Sequence, residues 1–202
     1  MKRSPFVFSL TRLVSSMVLP TRFEVRVQGL DHLPEKGPAL LIPKHQQWWD
    51  VPLIGHNVPR PLHFLAKEEL FRVPVARYFI SRLGGTPVDR QAPLKSLPTF
   101  RSLVPLIKGQ AFLVLFPEGT YFPGTMGEGK SRLIRLILSL QQKQAGPTLS
   151  FLPVGIRYQS PTGKGKIRVE LRIGEPSQEE DPGRAQAFTE SLLEQVRKLS
   201  QL

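Results

Sequence analysis

Short runs of aliphatic and β-branched residues alternate with helical patterns along this chain of 202 residues. The predicted strands are Phe23–Gln28, Ala39–Pro43, His63–Ala66, Thr86–Val88, Ala111–Phe116, Ser150–Arg157 and Ile167–Ile173. The predicted helices are Trp48–Ile54, Pro74–Leu83, Leu94–Ile107, Ser131–Gln142 and Arg184–Leu199. This alternation is typical of a layered α/β fold, so we expect a single domain with a mixed central sheet flanked by helices.

The first 20 residues form a separate amphipathic pattern, whose apolar face consists of Phe6, Leu10, Leu13 and Met17. We expect a helix over residues 1–20, either packed on the domain or lying on a membrane surface, and the main domain over residues 21–202. Polar side chains interrupt the run of about 20 apolar residues that a spanning helix needs. We therefore expect neither a transmembrane span nor a signal peptide.

Positive charge is concentrated in the part of the chain that holds the motifs described below. The formal net charge is +12, and residues 1–169 carry 24 of the 28 basic side chains but only nine of the 16 acidic ones. The imbalance indicates an anionic partner, either nucleic acid, an acidic membrane leaflet or a phosphorylated substrate. Helix-turn-helix, zinc and RNA-binding sequence patterns are not apparent, and basic and aromatic residues are not interleaved, which disfavours nucleic acid.

Cysteine is absent from the sequence. An acyl-cysteine intermediate and thiolate metal sites are therefore excluded, and the composition fits a cytoplasmic protein.

A histidine and an aspartate, His45 and Asp50, follow the predicted strand Ala39–Pro43. On one helix they would point about 140° apart, so they can meet only if His45 precedes the helix and Asp50 lies in its first turns. Asp50 would then hold one ring nitrogen of His45, and the other could take a proton from an alcohol. A structural role for His45 remains the alternative on this spacing alone.

Three further segments lie at the ends of predicted apolar strands or within one of them. Glu118 and Gly119 follow Ala111–Phe116, where a carboxylate could bind polyol hydroxyls, although an ordinary turn has the same pattern. Arg90 ends Gly84–Arg90, where it suits phosphate binding or a surface pair with its neighbour Asp89. The proline of Leu152–Val154 predicts an edge strand or a bulge.

Together, in their order, these segments resemble the membrane-associated glycerolipid acyltransferases that make phosphatidate from lysophosphatidate. The resemblance spans about Gly29 to Ile156, and it rests on H-x4-D at His45–Asp50, the arginine block at Gly85–Arg90, FPEGT at Phe116–Thr120 and the apolar-proline block at Leu152–Val154. It implies a fold like that of the glycerol-3-phosphate acyltransferases. It also implies transfer of a fatty acyl group from acyl-CoA or acyl carrier protein to the hydroxyl of 1-acylglycerol 3-phosphate.

The resemblance also implies roles for individual residues. His45 would be the general base and Asp50 would orient it, while Arg90 would bind the acceptor's phosphate. Glu118, Gly119 and Thr120 would shape the substrate pocket. A thioester is already activated toward attack by a hydroxyl, so no metal, prosthetic group or nucleophilic side chain is implied.

Two departures from the family pattern concern the acceptor and the membrane. Tyr121 follows Thr120 where many relatives have an arginine, so Lys130, Arg132 or Arg135 could supply the phosphate contact. The short N-terminus implies peripheral attachment at the cytoplasmic face of an anionic membrane. Another lysolipid or glycerol 3-phosphate remains open as the acceptor, and a thioester hydrolase and a basic nucleic-acid binder remain the competing functions.

Overall fold

A computed structural model of the chain describes residues 5–88, 97–143, 148–161 and 165–202. The helices are α1 (Pro5–Arg22), α2 (Asp50–Asn57), α3 (Pro74–Arg82), α4 (Leu97–Lys108), α5 (Ser131–Lys143) and α6 (Ala185–Ser200). The strands are β1 (Phe23–Gln28), β2 (Ala39–Pro43), β3 (Leu62–Lys67), β4 (Thr86–Val88), β5 (Phe112–Val114), β6 (Ser150–Pro161) and β7 (Ile167–Ile173). Single 3-10 turns occupy Leu30–His32, Glu68–Arg72 and Pro182–Arg184.

The seven strands form one sheet in the order β1–β7–β6–β2–β5–β3–β4. All neighbouring pairs are parallel except β6 and β7, which are antiparallel. The predicted mixed sheet flanked by helices is therefore confirmed. The chain leaves β2, β5, β3 and β4 at the same edge of the sheet, where binding sites of parallel sheets usually lie.

Two apolar layers sandwich the sheet. Alternate residues of β2 point to opposite faces: Leu40 and Ile42 join the layer beneath α4, α5 and α6, whereas Leu41 joins the layer beneath α1 and α2. Both layers need apolar residues from the same strand, and all five residues of β2 are buried. A strand that is buried on both faces has a continuous run of aliphatic residues, so β2 could be predicted from the sequence.

Several elements differ from their predicted bounds by one to four residues at an end, as where β6 ends at Pro161 instead of Arg157. Two differences from the predictions have a clear local cause. The helix predicted to begin at Trp48 begins at Asp50, because the preceding residues form a turn in which Asp50 N–H donates to the Gln47 carbonyl at 3.1 Å. Pro153 lies in the interior strand β6, so the prediction of an edge strand or bulge there is wrong. The β6–β7 pairing begins only at Val154, opposite the last residue of β7, so the missing N–H of Pro153 costs that ladder no hydrogen bond.

The N-terminal helix α1 buries only part of its surface. Leu19 is 3% exposed and packs in the layer that contains Phe23, whereas Leu13, Val14 and Met17 are at least half exposed. Among the described residues, no helix combines the length and the apolar character required to cross a bilayer.

Candidate active site

The structure brings His45 and Asp50 into contact. His45 lies in the loop after β2, and Asp50 is the first residue of α2. The distance between His45 Nδ1 and Asp50 Oδ2 is 2.9 Å. The same carboxylate oxygen accepts hydrogen bonds from the backbone N–H groups of Gln46 (2.6 Å) and Gln47 (2.9 Å). Asp50 therefore holds both the imidazole and the loop that carries it.

These contacts determine the tautomer of the imidazole. An ionised carboxylate oxygen can only accept hydrogen bonds, so Nδ1 of His45 must carry the proton. In the neutral ring, Nε2 is then unprotonated and can accept a proton. His45 lines a cavity described below, and its side chain is 11% exposed. The ring can therefore act as a base toward a molecule in that cavity.

Aromatic rings on two sides limit the movement of His45. The imidazole stacks on Phe116, with 3.8 Å between the ring centroids, and meets Tyr121 edge-on at 4.4 Å. Its backbone is also held, since its N–H donates to Glu118 Oε1 at 3.1 Å and its carbonyl accepts from the Phe122 N–H at 2.9 Å. The loop after β5 thus holds the histidine supplied by the loop after β2.

A buried ion pair joins the same two loops. Lys44 and Glu118 are 0% and 1% exposed, and Lys44 Nζ lies 2.9 and 2.8 Å from the two carboxylate oxygens of Glu118. Lys44 Nζ also donates to the carbonyls of Phe122 (2.8 Å) and His45 (3.1 Å). The second oxygen of Glu118 accepts from the Gly127 N–H at 2.8 Å. A contact between Glu118 and an acceptor hydroxyl would therefore require rearrangement of this pair.

Other predicted pocket residues lie on the loop after β5. Gly119 has a φ of 76°, which favours glycine, and a Cβ there would lie 3.2 Å from Lys130 Nζ. Gly119 and Thr120 line the cavity. Lys130 is exposed and its N–H donates to the Pro117 carbonyl at 2.9 Å, while Arg132 is exposed in the first turn of α5.

Arg90, the predicted phosphate ligand, lies outside the described residues. It follows the last residue of β4, Val88, by two positions. Because β4 is parallel to β3, and β3 to β5, the chain leaves β4 toward the edge of the sheet that carries His45.

A cavity of about 540 Å³ opens beside His45. Its wall is mostly apolar and comes from α1, α2, β3 and the segment around α3. Apolar lining residues include Val51, Leu62, Phe64, Leu65, Leu70, Ile80 and Leu83. Arg12 and Lys67 add positive charge to the lining. A mostly apolar cavity of this volume next to a candidate base suits an apolar ligand with one polar end.

Three polar residues of this site were not predicted from the sequence. Lys44 could have been found, because it follows a fully buried strand just as Glu118 does, and two such charges on neighbouring strands suggest a pair. Gln46 donates to the Ile156 carbonyl at 2.6 Å and accepts from the Gly124 N–H at 3.0 Å. Tyr158 donates to Asp50 Oδ1 at 2.7 Å. No local pattern identifies Gln46 or Tyr158, since their partners are 78 to 110 residues away.

No cluster of three or more histidine, aspartate or glutamate side chains able to hold a metal ion occurs among the described residues. The carboxylates near His45 have protein partners instead: Asp50 is hydrogen-bonded to His45, and Glu118 forms an ion pair with Lys44.

Comparisons with known proteins give consistent matches. A family model described as Acyltransferase matches residues 24–157. The 1-acyl-sn-glycerol-3-phosphate acyltransferase of Bacillus subtilis is 28% identical over 196 residues, which are 91% of this chain and 92% of that protein. The lyso-ornithine lipid O-acyltransferase of Pseudomonas aeruginosa is 36% identical over 137 residues, 68% of this chain and 48% of that protein.

A solved structure shares the fold. The crystal structure of the 1-acyl-sn-glycerophosphate acyltransferase PlsC from Thermotoga maritima matches with a TM-score of 0.65 and 22% identity. The match covers 96% of this chain and 77% of that one.

Proposed function

Because this chain belongs to the Acyltransferase family, we propose that it transfers a fatty acyl group from a thioester to the free hydroxyl of 1-acylglycerol 3-phosphate, giving phosphatidate. The observation that carries this proposal is the His45–Asp50 hydrogen bond beside an apolar cavity. The donor would be acyl-CoA or acyl carrier protein. Phosphatidate is a precursor of phospholipids, so the enzyme would serve phospholipid synthesis.

In the proposed reaction, the acceptor hydroxyl attacks the thioester carbonyl carbon directly. His45 Nε2 takes the hydroxyl proton as the new C–O bond forms, and Asp50 stabilises the resulting imidazolium. The tetrahedral intermediate then breaks its C–S bond, and the imidazolium returns its proton to the leaving thiolate. The products are an ester and a thiol, and the residues end in their starting protonation states.

The apolar cavity would hold an acyl chain. Its lining from α2, β3 and the α3 region offers few polar groups, and burial of each CH₂ group contributes about 0.8 kcal/mol. A chain anchored there would bring its carboxyl end to His45, which lies on the same cavity.

We infer that Arg90 binds the phosphate of the acceptor, because it follows β4 by two residues in the sequence, and β4 ends at the same edge of the sheet as the strand before His45. Lys130 and Arg132 would assist, since Lys130 covers the backbone of Gly119. Glu118 would act by holding the loop of Gly119 and Thr120, which line the cavity, because its carboxylate is engaged with Lys44.

Tyr121 favours a second class of acceptor lipid as the alternative substrate. This residue packs edge-on against His45 at 4.4 Å, at the position where the family resemblance implies an arginine. An aromatic ring there removes one cation from the acceptor site. Another lysolipid, with a headgroup that carries no phosphate, is therefore the second candidate. The P. aeruginosa relative is named for a different lysolipid, lyso-ornithine lipid.

The proposed function predicts that thiol release depends on the lipid acceptor. Purified protein would be given a long-chain acyl-CoA with lysophosphatidate, with glycerol 3-phosphate, with lyso-ornithine lipid or with no acceptor. We expect rapid release of CoA thiol only with lysophosphatidate. Release only with lyso-ornithine lipid would establish the second candidate, and equal release in all four mixtures would show a hydrolase. If acyl-CoA gives no release, the same four mixtures with acyl carrier protein decide the donor.

The same assay tests the phosphate ligand. In Arg90→Ala, we expect the KM for lysophosphatidate to rise severalfold with a smaller change in kcat, since the residue would bind the phosphate rather than the reacting atoms. An unchanged KM would remove Arg90 from the acceptor site.

We also propose that the protein binds peripherally to the cytoplasmic face of the membrane through α1. The outward face of this helix exposes Leu13 (53%), Val14 (50%) and Met17 (63%), and Trp48 beside α2 is 57% exposed. Thr11, Arg12 and Ser15 of α1 line the cavity, so lipid reaching this helix is already close to His45. Basic residues around this surface would add attraction to anionic headgroups, each contributing about 1 kcal/mol.

The double variant Leu13→Ser/Met17→Ser should weaken binding to vesicles of phosphatidylglycerol and phosphatidylethanolamine about tenfold or more, because two half-exposed apolar side chains no longer enter the bilayer. Co-sedimentation measures this. Leu30→Ser, at an exposed leucine outside α1, is the matched control and should bind normally. Equal binding by the double variant and the control would exclude α1 as the membrane contact.

A further inference from the structure

Tyr158 contacts the candidate catalytic pair from a position that none of the sequence motifs includes. It lies on β6, and its hydroxyl donates to Asp50 Oδ1 at 2.7 Å. Since a carboxylate oxygen only accepts, Tyr158 must be the donor. The interaction joins residues 108 positions apart and reaches the carboxylate oxygen that does not contact His45.

The hydrogen bonds of Asp50 are divided between its two oxygens. Oδ2 accepts from His45, from the Gln46 N–H and from the Gln47 N–H, whereas Oδ1 accepts from Tyr158. Asp50 is 0% exposed, so water does not supply a substitute donor at the protein surface. Rotation of the carboxylate would break bonds at both oxygens, and the Tyr158 hydroxyl therefore limits its orientation.

Tyr158 remains a neutral donor throughout the working pH range. Burial raises the pKa of its phenol above the ordinary value, and the negative charge of Asp50 raises it further. A hydrogen bond with the Gln47 side chain acts in the opposite direction without reversing the shift. The hydroxyl therefore keeps its proton and continues to donate to Asp50.

We propose that Tyr158 is a positioning residue for the reaction, which fixes the Asp50 carboxylate and withdraws part of its negative charge from His45. This inference rests on the proposed function, in which His45 is the base. A hydrogen bond at Oδ1 disperses the carboxylate charge, so the imidazolium is held less tightly than by a carboxylate without that bond. His45 then loses its proton more readily when the thiolate leaves.

Among the described residues, Asp50 is the charged side chain in direct contact with the His45 ring. Lys44 and Glu118 face the His45 backbone but form an ion pair with each other. Tyr121 meets the ring edge-on. Within the part of the chain that the structure describes, the other titratable groups that line the cavity are Arg12 from α1, His56 from α2 and Lys67 from β3. Removal of the Tyr158 hydroxyl leaves all of these unchanged.

The ring of Tyr158 has a separate packing role, which allows the hydroxyl to be tested alone. It meets Phe23 edge-on with 6.4 Å between centroids, and it packs in the layer beneath α1 and α2. Phenylalanine can make the same contacts. Tyr158→Phe therefore removes one hydrogen bond from Asp50 while retaining the apolar packing.

We expect Tyr158→Phe to lower kcat about two- to tenfold, the usual effect of losing one hydrogen bond, with little change in the KM of the acceptor. The dependence of kcat on pH should also change. Without the hydroxyl, more negative charge faces His45, its imidazolium is stabilised, and its pKa rises. The acidic limb of the kcat profile should therefore move to higher pH.

An isosteric variant should give the opposite shift. With 3-fluorotyrosine incorporated at position 158, the more acidic hydroxyl donates a stronger hydrogen bond, and the acidic limb should move to lower pH. Tyr78→Phe, which removes the hydroxyl of a half-exposed residue on α3, is the control and should leave the profile in place. Shifts in the same direction for both variants at position 158, or no shift in either, would overturn the proposal.

The imidazole NMR titration of His45 separates this inference from the proposed function. It reports the pKa of His45 in protein without substrate, so it remains readable even if no acyl acceptor supports turnover. A higher titration midpoint in Tyr158→Phe and a lower one with 3-fluorotyrosine would support the role of Tyr158. Identical midpoints would refute it, whatever the enzyme assays show.

Discussion

His45→Ala is expected to lower the rate of acyl transfer about 10²–10⁴-fold and to leave the protein folded. The loss follows from the removal of the imidazole, which is hydrogen-bonded to Asp50 and lines the cavity. Folding should persist because Asp50 keeps its hydrogen bonds with Gln46, Gln47 and Tyr158. Acceptor-dependent thiol release measures the rate, and circular dichroism measures the fold.

The control for this variant is His32→Ala. His32 is also partly buried, and its Nδ1 bonds the Ile173 carbonyl at 2.9 Å, but it does not line the cavity. It should retain wild-type turnover even if its thermal stability falls. Turnover by His45→Ala at the rate of the control would end the proposed mechanism.

Lys44→Met is expected to reduce the free energy of unfolding by about 3–5 kcal/mol, because it leaves the Glu118 carboxylate buried without its partner. The variant also removes hydrogen bonds from the carbonyls of Phe122 and His45. Since domains of ordinary stability unfold with about 5–15 kcal/mol, this is a large fraction of the total. Urea unfolding measures the effect.

The double variant Lys44→Met/Glu118→Gln should recover much of the lost stability, since it removes both buried charges. Arg197→Met is a matched control that breaks the exposed pair between Arg197 and Glu194, and it should change the unfolding midpoint little. If Lys44→Met unfolded at the midpoint of Arg197→Met, the buried pair would have no structural importance.

The sequence predicted the strands better than the contacts between them. The bounds of β1, β2, β4 and β7 agree with the predicted ones, because these strands are short apolar or alternating runs with clear turn residues at their ends. The prediction from Pro153 was wrong because proline is tolerated in an interior strand where the neighbouring strand has already ended. Where a neighbouring strand ends, and whether a strand lies at the edge of the sheet, depend on residues far away in the sequence.

The candidate site was predictable where it depended on neighbours in sequence. His45 and Asp50 could be paired because a strand, a loop and a helix start separate them by five residues. The groups that hold this pair could not be found in the same way. Lys44 contacts Glu118 across 74 residues, and Tyr158 contacts Asp50 across 108, so both contacts depend on the order of strands in the sheet.

Strand β4 lies at the end of the seven-stranded sheet and, among the described strands, pairs with β3 alone. Lys44, Glu118 and Tyr158 belong to or follow strands with neighbours on both sides. A substitution in β4 therefore disturbs one neighbouring strand, whereas a substitution in β2, β5 or β6 disturbs two. If Arg90, two residues after β4, binds the headgroup as we propose, we expect substitutions near it to change headgroup preference while the support of His45 and Asp50 stays intact.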